Sequence, residues 1–351
     1  MSSNKKKKPT ILDIAEKLKI TPSTVSRALN NHPRISEETR RQVIRVANEL
    51  NYQPNNIASA LRSGKSKLIG IVVPTVNRNF FSSVVRGIEE YAEALNYNVI
   101  ISQSHEDHKK EVQTIKALIS ARVDGIIASL GKNTTDFSHF QMVIDKGIPL
   151  VLFDRVTDKL NVSKVVIDDH QGAFEAVSHL IDQGCTRIVH LTNPRKINIY
   201  SERLRGYTDA LRANGLPVLP ELIVESNMQL EDGRDSVKQL LEKGIAFDAI
   251  FSASDYAIMG AMQILDEKGL KVPNDIKLVG FGNEPFTSFT QPPITTVDQK
   301  SIPMGQVTAE TFFDLLNKDA KQRYLKTTVL KPELVIRGSS ISKAEVPLKP
   351  M

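Results

Sequence analysis

Residues 11–55 read ILDIAEKLKITPSTVSRALNNHPRISEETRRQVIRVANELNYQPN, and the recurrence of apolar residues along this run decides the fold of the N-terminal part. Thr10 followed by Asp13 marks a helix start, and Ile11, Ile14, Ala15 and Leu18 recur at the spacing of one apolar helical stripe. Ile20 and Thr21 break it. Thr21 suits the cap of a second short helix that opens on Pro22, where a missing N–H costs nothing. Val25, Ala28 and Leu29 then form an inward face as far as Asn30. Pro22, Ser23, Ser26 and Arg27 are left outward, small or hydrogen-bonding residues of the kind that enters a major groove. Ser36, with Glu37 and Glu38 in the first turn and Val43, Val46, Ala47 and Leu50 behind them, signals a third helix. Pattern alone leaves open any three-helix domain with a basic surface.

Charge narrows the choice. Residues 1–67 hold 14 Lys and Arg against five Asp and Glu, whereas the remaining 284 residues hold 32 against 35. All the excess positive charge therefore lies in the first fifth of the chain, as expected of a polyanion-binding head on a body with another task. At 351 residues, a quarter charged and 40% hydrophobic, the chain is long enough for two or three folded domains and too apolar to be disordered. No apolar run reaches the roughly 20 residues that cross a bilayer. The start MSSNKKKKPT lacks the apolar stretch of an export signal, so a cytoplasmic protein is expected. The single cysteine, Cys185, cannot pair within the chain and reads as a small buried hydrophobe.

Over residues 11–74, and most specifically in TVSRALN (24–30) and NYQPN (51–55), the sequence resembles the start of LacI/GalR transcription repressors. The resemblance implies that Pro22 and Ser23 read base edges, with Thr24, Ser26 and Arg27 beside them on bases and phosphates. It also implies a hinge helix over Asn55–Ser63 whose Leu61 wedges into the minor groove. The DNA-facing set is then Thr10, Thr21, Pro22, Ser23, Thr24, Ser26, Arg27, Asn30, Asn55, Asn56, Ala58 and Leu61. A segment of about two turns between Pro54 and Gly64 is too short to be a stable helix alone, and orders only against DNA and a partner copy. Small neighbours such as Ala58 and Ala60 suit a wedge in a narrow groove. Pro22 departs from a base reader in having no side-chain donor or acceptor, which shifts direct readout to Ser23 and Arg27.

After Lys67 the period changes. LIGIVVP, NVIIS, DGIIAS and IPLVLF are short Val- and Ile-rich runs separated by amphipathic helical stretches, which is alternating β and α with a parallel sheet. The pattern restarts at VSKVVIDD and continues through RIVHLT, ELIVES, FDAIFSAS and DIKLVGF. We read two doubly wound lobes with a ligand crevice at the carboxyl ends of their strands. The whole is an all-α three-helix helix-turn-helix head plus an α/β two-lobed body like periplasmic binding proteins. The expected domains are 1–54 (tail and helix-turn-helix), 55–67 (hinge helix and linker), 68–340 (ligand binding and dimerisation) and a tail, 341–351. Within 68–340, an N-lobe takes about 68–166 and 298–326 and a C-lobe about 167–297 and 327–340. Crossings fall near Ile167, Val297 and Thr327.

The body also resembles that of the same family. This implies Phe80 and Phe81 stacking on a sugar-like effector, Asp154 and Arg155 bonding its hydroxyls, Arg203 holding it from the other lobe, and Asp255 completing the set. Carboxylate and guanidinium pairs suit vicinal hydroxyls, and aromatic faces cover the apolar side of a ring. At VGFGNEP the family usually has an acid where this chain has Gly282, so Asn283 or Glu284 would have to take over. His105-Glu106-Asp107-His108 is metal-like in composition but reads as a solvated strand-to-helix loop, and Asp168-Asp169-His170 as a helix N-terminus at a lobe crossing. No phosphate loop or nucleophile elbow appears, so hydrolase chemistry has no residues to carry it. The expectation is a homodimeric repressor bound to double-stranded operator DNA and switched by a small ligand, with no catalytic residues, metal, cofactor or membrane partner. A solute receptor for transport is the alternative the body alone permits. The basic head argues against it.

Overall fold

A computed structural model of the chain describes residues 9–52, 64–194, 197–319 and 323–341. It divides into two compact units, Met1–Ser66 and Lys67–Met351. In the first, three helices appear where the apolar stripes place them: α1 (Ile11–Leu18), α2 (Pro22–Leu29) and α3 (Glu37–Glu49). Asp13 accepts from both the N–H and the hydroxyl of Thr10, each at 2.6 Å, which fixes the start of α1. The left-handed Lys19 ends it. Ile14, Val25, Ala28 and Val43 are fully buried at the centre, and each helix presents its stripe to the other two.

The second unit is two six-stranded sheets. In chain order its elements are β1 (Leu68–Val73), α4 (Asn79–Ala94), β2 (Asn98–Gln103), α5 (His108–Ser120), β3 (Gly125–Ala128), α6 (Ser138–Asp145), β4 (Leu150–Phe153) and β5 (Ser163–Ile167). Then come α7 (Asp169–Asp182), β6 (Ile188–Thr192), α8 (Asn198–Ala213), β7 (Ile223–Glu225), α9 (Leu230–Glu242), β8 (Ala249–Ser252), α10 (Asp255–Glu267) and β9 (Lys277–Phe281). The chain ends with β10 (Thr295–Asp298), α11 (Ser301–Leu316), β11 (Thr327–Leu330) and β12 (Glu333–Val335). The first sheet runs β2-β1-β3-β4-β5-β11 and the second β7-β6-β8-β9-β10-β12. Helices cover both faces of each, which is why their strands read as unbroken apolar runs rather than alternating ones. Cys185 is 2% exposed in the second lobe's core, and burial pushes its thiol up to about 11.

One detail differs from the sequence reading. The segment VSKVVI, where the strand pattern restarts, lies in the first sheet as β5, between β4 and β11. Thr327–Leu330 also stays in the first sheet, paired parallel with β5, so the last crossing falls between Leu330 and Glu333 and not at Thr327. That late crossing explains a further departure, the antiparallel pairing of β12 with β10 in a sheet otherwise parallel. β11 ends at the interface between lobes, and Lys331 and Pro332 give no length for a return loop. The next strand therefore enters the second sheet from the cleft side and runs against its neighbour. Among the described residues, no helix is long and apolar enough to cross a membrane.

Glycines set how closely the covering helices approach. A Cβ on Gly305 of α11 would lie 2.2 Å from the Val84 carbonyl oxygen of α4, and one on Gly87 would lie 2.5 Å from that of Ile302. Both obstacles are backbone and cannot rotate away. The pair α9 and α10 repeats the device, with the Cβ sites of Gly233 and Gly260 each 1.9 Å from a carbonyl oxygen of the other helix. Alanine in mid-helix ordinarily gains about 1 kcal/mol over glycine. Here Gly305→Ala is expected to destabilise the body by about 1–3 kcal/mol, because overpacking forces α4 and α11 apart. Urea titration followed by circular dichroism reads this, and an unchanged or raised midpoint would show that the helices have room to part.

Candidate functional site

On α2 the sequence places a polar face and the structure exposes it. Thr21 caps the helix, its hydroxyl accepting from the Thr24 N–H at 3.2 Å and lying 2.8 Å from that of Ser23. Pro22, Ser23, Arg27 and Asn30 are exposed, with Thr24 and Ser26 half-buried beside them. The Asn30 amide donates to the Ser26 carbonyl at 2.7 Å and closes the helix end. Thr10 caps α1. Asn55, Asn56, Ala58 and Leu61 lie outside the described residues.

The second site is a cleft of about 350 Å³ at the carboxyl ends of both sheets. Phe80 and Phe81, in the first turn of α4, form part of its wall as an edge-to-face pair 5.1 Å apart. Asp154 follows β4 in the left-handed conformation at φ 58°, which turns its carboxylate into the lobe junction. Burial raises its pKa, with Arg155 and Arg203 opposing. The Arg155 guanidinium donates to Glu106 at 2.7 Å. Arg203, on α8, is 3% exposed and lies over the Phe281 ring at 3.7 Å. It donates to Asp169 at 2.8 Å, the Ala253 carbonyl at 2.8 Å and Gln299 at 3.0 Å. Burial pushes Asp169 up to about 7 despite the guanidinium. Asp255, at the start of α10, accepts from Thr296 at 2.7 Å and from the Glu284 N–H at 2.8 Å, and burial pushes it up to about 6.

Phe80, Phe81, Asp154, Arg155, Arg203 and Asp255 thus meet in one cleft, while Asn283 does not. Gly282 and Asn283 both have positive φ, and the reversal sends the Asn283 side chain to Arg337 and Asp298 in the second lobe. Glu284 takes the place at the wall. Its carboxylate meets the backbone N–H groups of Asn79 and Phe80, and burial raises its pKa. The loop 105–108 is also more engaged than expected. His105 and Asp107 are exposed, but Glu106 holds Arg155 and the Lys132 N–H, the latter at 2.6 Å. His108 packs edge-on against His139. The His139 ring is 2.9 Å from buried Glu111, which also accepts from the Gly131 N–H and the Thr134 hydroxyl. The side chains of His108, Glu111 and His139 offer ligand atoms within 4.8 Å of one another. With Glu111 taken up by three donors, the group pins the segment 131–139 that carries Lys132 to the cleft.

Sequence reasoning took Asp169 only as a helix N-terminus at a lobe crossing and missed Gln299, Arg78 and Lys132. Asp169 and Gln299 each follow a strand that ends at the cleft, a position that could have singled them out. Arg78 and Lys132 sit in strand-to-helix loops with no periodic signal. Each reaches across the cleft, Arg78 donating to Gln229 at 2.6 Å and Lys132 to Asn227 at 3.5 Å. Asn198 also bridges the lobes, accepting from the Val156 N–H at 3.0 Å and donating to the Asp154 carbonyl at 3.1 Å.

Both units match known proteins. Residues 10–55 match the model for bacterial regulatory proteins of the lacI family, and residues 66–328 that for periplasmic binding proteins and the sugar binding domain of the LacI family. The chain is 32% identical over 311 residues to catabolite control protein A of Priestia megaterium, covering 88% of this chain and 93% of that protein. The structure of a lac repressor dimer bound to operator and the anti-inducer ONPF superposes with a TM-score of 0.85 at 27% identity, covering 96% of this chain and all of that one. A complex of the transcriptional regulator CelR with cellobiose gives 0.72 at 26% identity, covering 94% and 99%. From a helix-turn-helix matched in sequence and a two-lobed body matched in sequence and structure, we conclude that the chain belongs to the LacI family of DNA-binding transcriptional regulators.

Proposed function

We propose that this regulator is a cytoplasmic homodimeric repressor that holds a near-palindromic operator through α2 and is switched by a sugar-like effector in the cleft. The observation that carries the first half is the exposed polar face of α2 on the unit that holds the chain's excess positive charge. Ser23 and Arg27 read bases, Thr10, Thr21, Pro22, Thr24, Ser26 and Asn30 contact backbone and bases around them, and residues 55–67 act as the hinge with Leu61 as its wedge. In this reading, DNA binding belongs to residues 1–67, and residues 68–340 bind ligand and dimerise.

For the second half, the cleft supplies what a polyol needs. Phe80 and Phe81 offer apolar faces, and Asp154 and Arg155 offer an acceptor and a donor at one strand end. Asp255 and Arg203 are proposed to act on the ligand from the second lobe, Arg203 largely by holding Asp169 and the cleft wall in place. The relatives' complexes with operator and with cellobiose support both halves.

The test is a duplex selected from a random library and titrated over a salt series. Affinity is expected to fall steeply with salt because the head's bases displace counterions, and the fragment 68–351 is expected to lose it. A flat salt response, or operator affinity kept by the fragment, would place the DNA site elsewhere. Ser23→Ala and Arg27→Ala are each expected to weaken specific binding by about 1–3 kcal/mol. Leu61→Ala should lose most of the operator bend, read by energy transfer between dyes at the duplex ends, and leave nonspecific binding nearly unchanged. Bending equal to the parent's would make residues 55–63 a plain linker.

A further inference from the structure

Most charges in the cleft are already matched to a partner. Glu106 is taken by Arg155, Asp169 by Arg203, and Asp255 by the Thr296 hydroxyl and the Glu284 N–H. Glu284 faces the first N–H groups of α4 and feels the charge of Arg78, with no ion pair between them. Two cations have no ion-pair partner. Among the described residues, no carboxylate forms an ion pair with Arg78 or Lys132; their side-chain hydrogen bonds go to the neutral amide oxygens of Gln229 and Asn227. Both cations come from the first lobe and converge on one short segment of the second. Arg78 also lies flat on the Tyr256 ring, its guanidinium carbon 3.4 Å from the centroid, and desolvation lowers its pKa. Gly282 adds no carboxylate to this wall.

The Arg78 guanidinium is partly withdrawn from water, its hydrogen bond goes to a neutral amide and Glu284 acts on it without an ion pair, while the Lys132 ammonium ends on a second neutral amide at the open side of the cleft; an oxyanion is the partner that compensates both best. Asp154 is the complementary leftover. It is buried, and its contact with the Arg155 Nε is long at 3.9 Å, so its carboxylate has capacity for hydroxyl donors. We propose that the effector is an acidic sugar whose carboxylate or phosphate seats between Arg78 and Lys132 at the Asn227–Gln229 segment, with its hydroxyls directed to Asp154. This rests on the cleft being a sugar site. The anion replaces two direct contacts between the lobes with stronger bridges through the ligand, so it favours the closed arrangement of the cleft.

The experiment is calorimetry on the full chain with sugars in matched pairs. Glucuronate and galacturonate form one arm and glucose 6-phosphate and galactose 6-phosphate the other, each against neutral glucose or galactose. In the arm that fits, the acid is expected to bind about 10- to 100-fold more tightly than its neutral partner, the ratio charge-assisted hydrogen bonds supply. That preference should shrink with added salt. Lys132→Gln should remove most of the preference and Lys132→Arg should keep it, with the thermal midpoint of each variant checking the fold. Equal affinity within every pair of both arms, or a preference that survives Lys132→Gln, overturns the proposal and leaves the cleft a sugar site. If no member of any pair binds, the sugar reading falls together with it.

Discussion

One buried guanidinium ties the body together. Arg203 donates to Asp169, just beyond β5, to Gln299, just beyond β10, and to the last turn of backbone after β8 at Ala253. Asp169 and Gln299 lie in two of the three places where the chain passes between the sheets, so a single side chain sets the relation of two crossings to the cleft wall. Its worth is geometric. A buried ion pair contributes little net stability against an apolar replacement, while removal of one partner strands the other in a medium that cannot solvate it. The raised pKa of Asp169, pushed up to about 7 even beside the guanidinium, records how costly that environment is for charge. Whatever moves Arg203 therefore moves both crossings.

How much of this was legible in the sequence depends on the range of the signal. The three helices of the head and the Val- and Ile-rich strands are local patterns, and they appear where periodicity puts them. Phe80, Phe81, Asp154, Arg155 and Asp255 sit at strand ends or in the first turn of the helices that follow, where the doubly wound topology gathers them, and Arg203 reaches the same place from α8. The Asp169–Arg203 bond joins residues 34 apart, on neighbouring helices, and no periodicity announces it. Between Asn283 and Glu284 the sequence offers no choice, and it is the positive φ at Gly282 and Asn283 that turns Glu284 and not Asn283 to the cleft. The last crossing lies past Leu330 rather than near Thr327, and only the long-range pairing of Thr327 with Lys164 shows it.

The two units divide the work by physical means that suit each. The head is three short helices around a small core, and its outward face is populated by small hydroxyls and a long cation. Such a face gains affinity from phosphate charge and selectivity from a few base contacts, which are separable contributions. The body is close-packed on both faces of two sheets, with glycine contacts at Gly87 and Gly305 and at Gly233 and Gly260 that leave no slack between covering helices. A tightly packed lobe moves as a rigid body, and motion is left to the crossings.

Rigid lobes joined at three crossings constrain how a ligand can act. An effector shifts an equilibrium between lobe arrangements only by the difference in its affinity for them. Contacts to one lobe alone are the same in every arrangement and shift nothing. The productive contacts are those that need both lobes in place, and in this cleft they are already sketched by protein groups: Arg78 to Gln229, Lys132 to Asn227, and Asn198 to the residues flanking Arg155. Each is a bond between a side chain and a neutral oxygen or N–H, weak enough to be exchanged for a ligand. The cleft is thus held shut by interactions that a stronger competitor can replace, while the Arg203–Asp169 pair beneath them stays buried and keeps two of the three crossings in register.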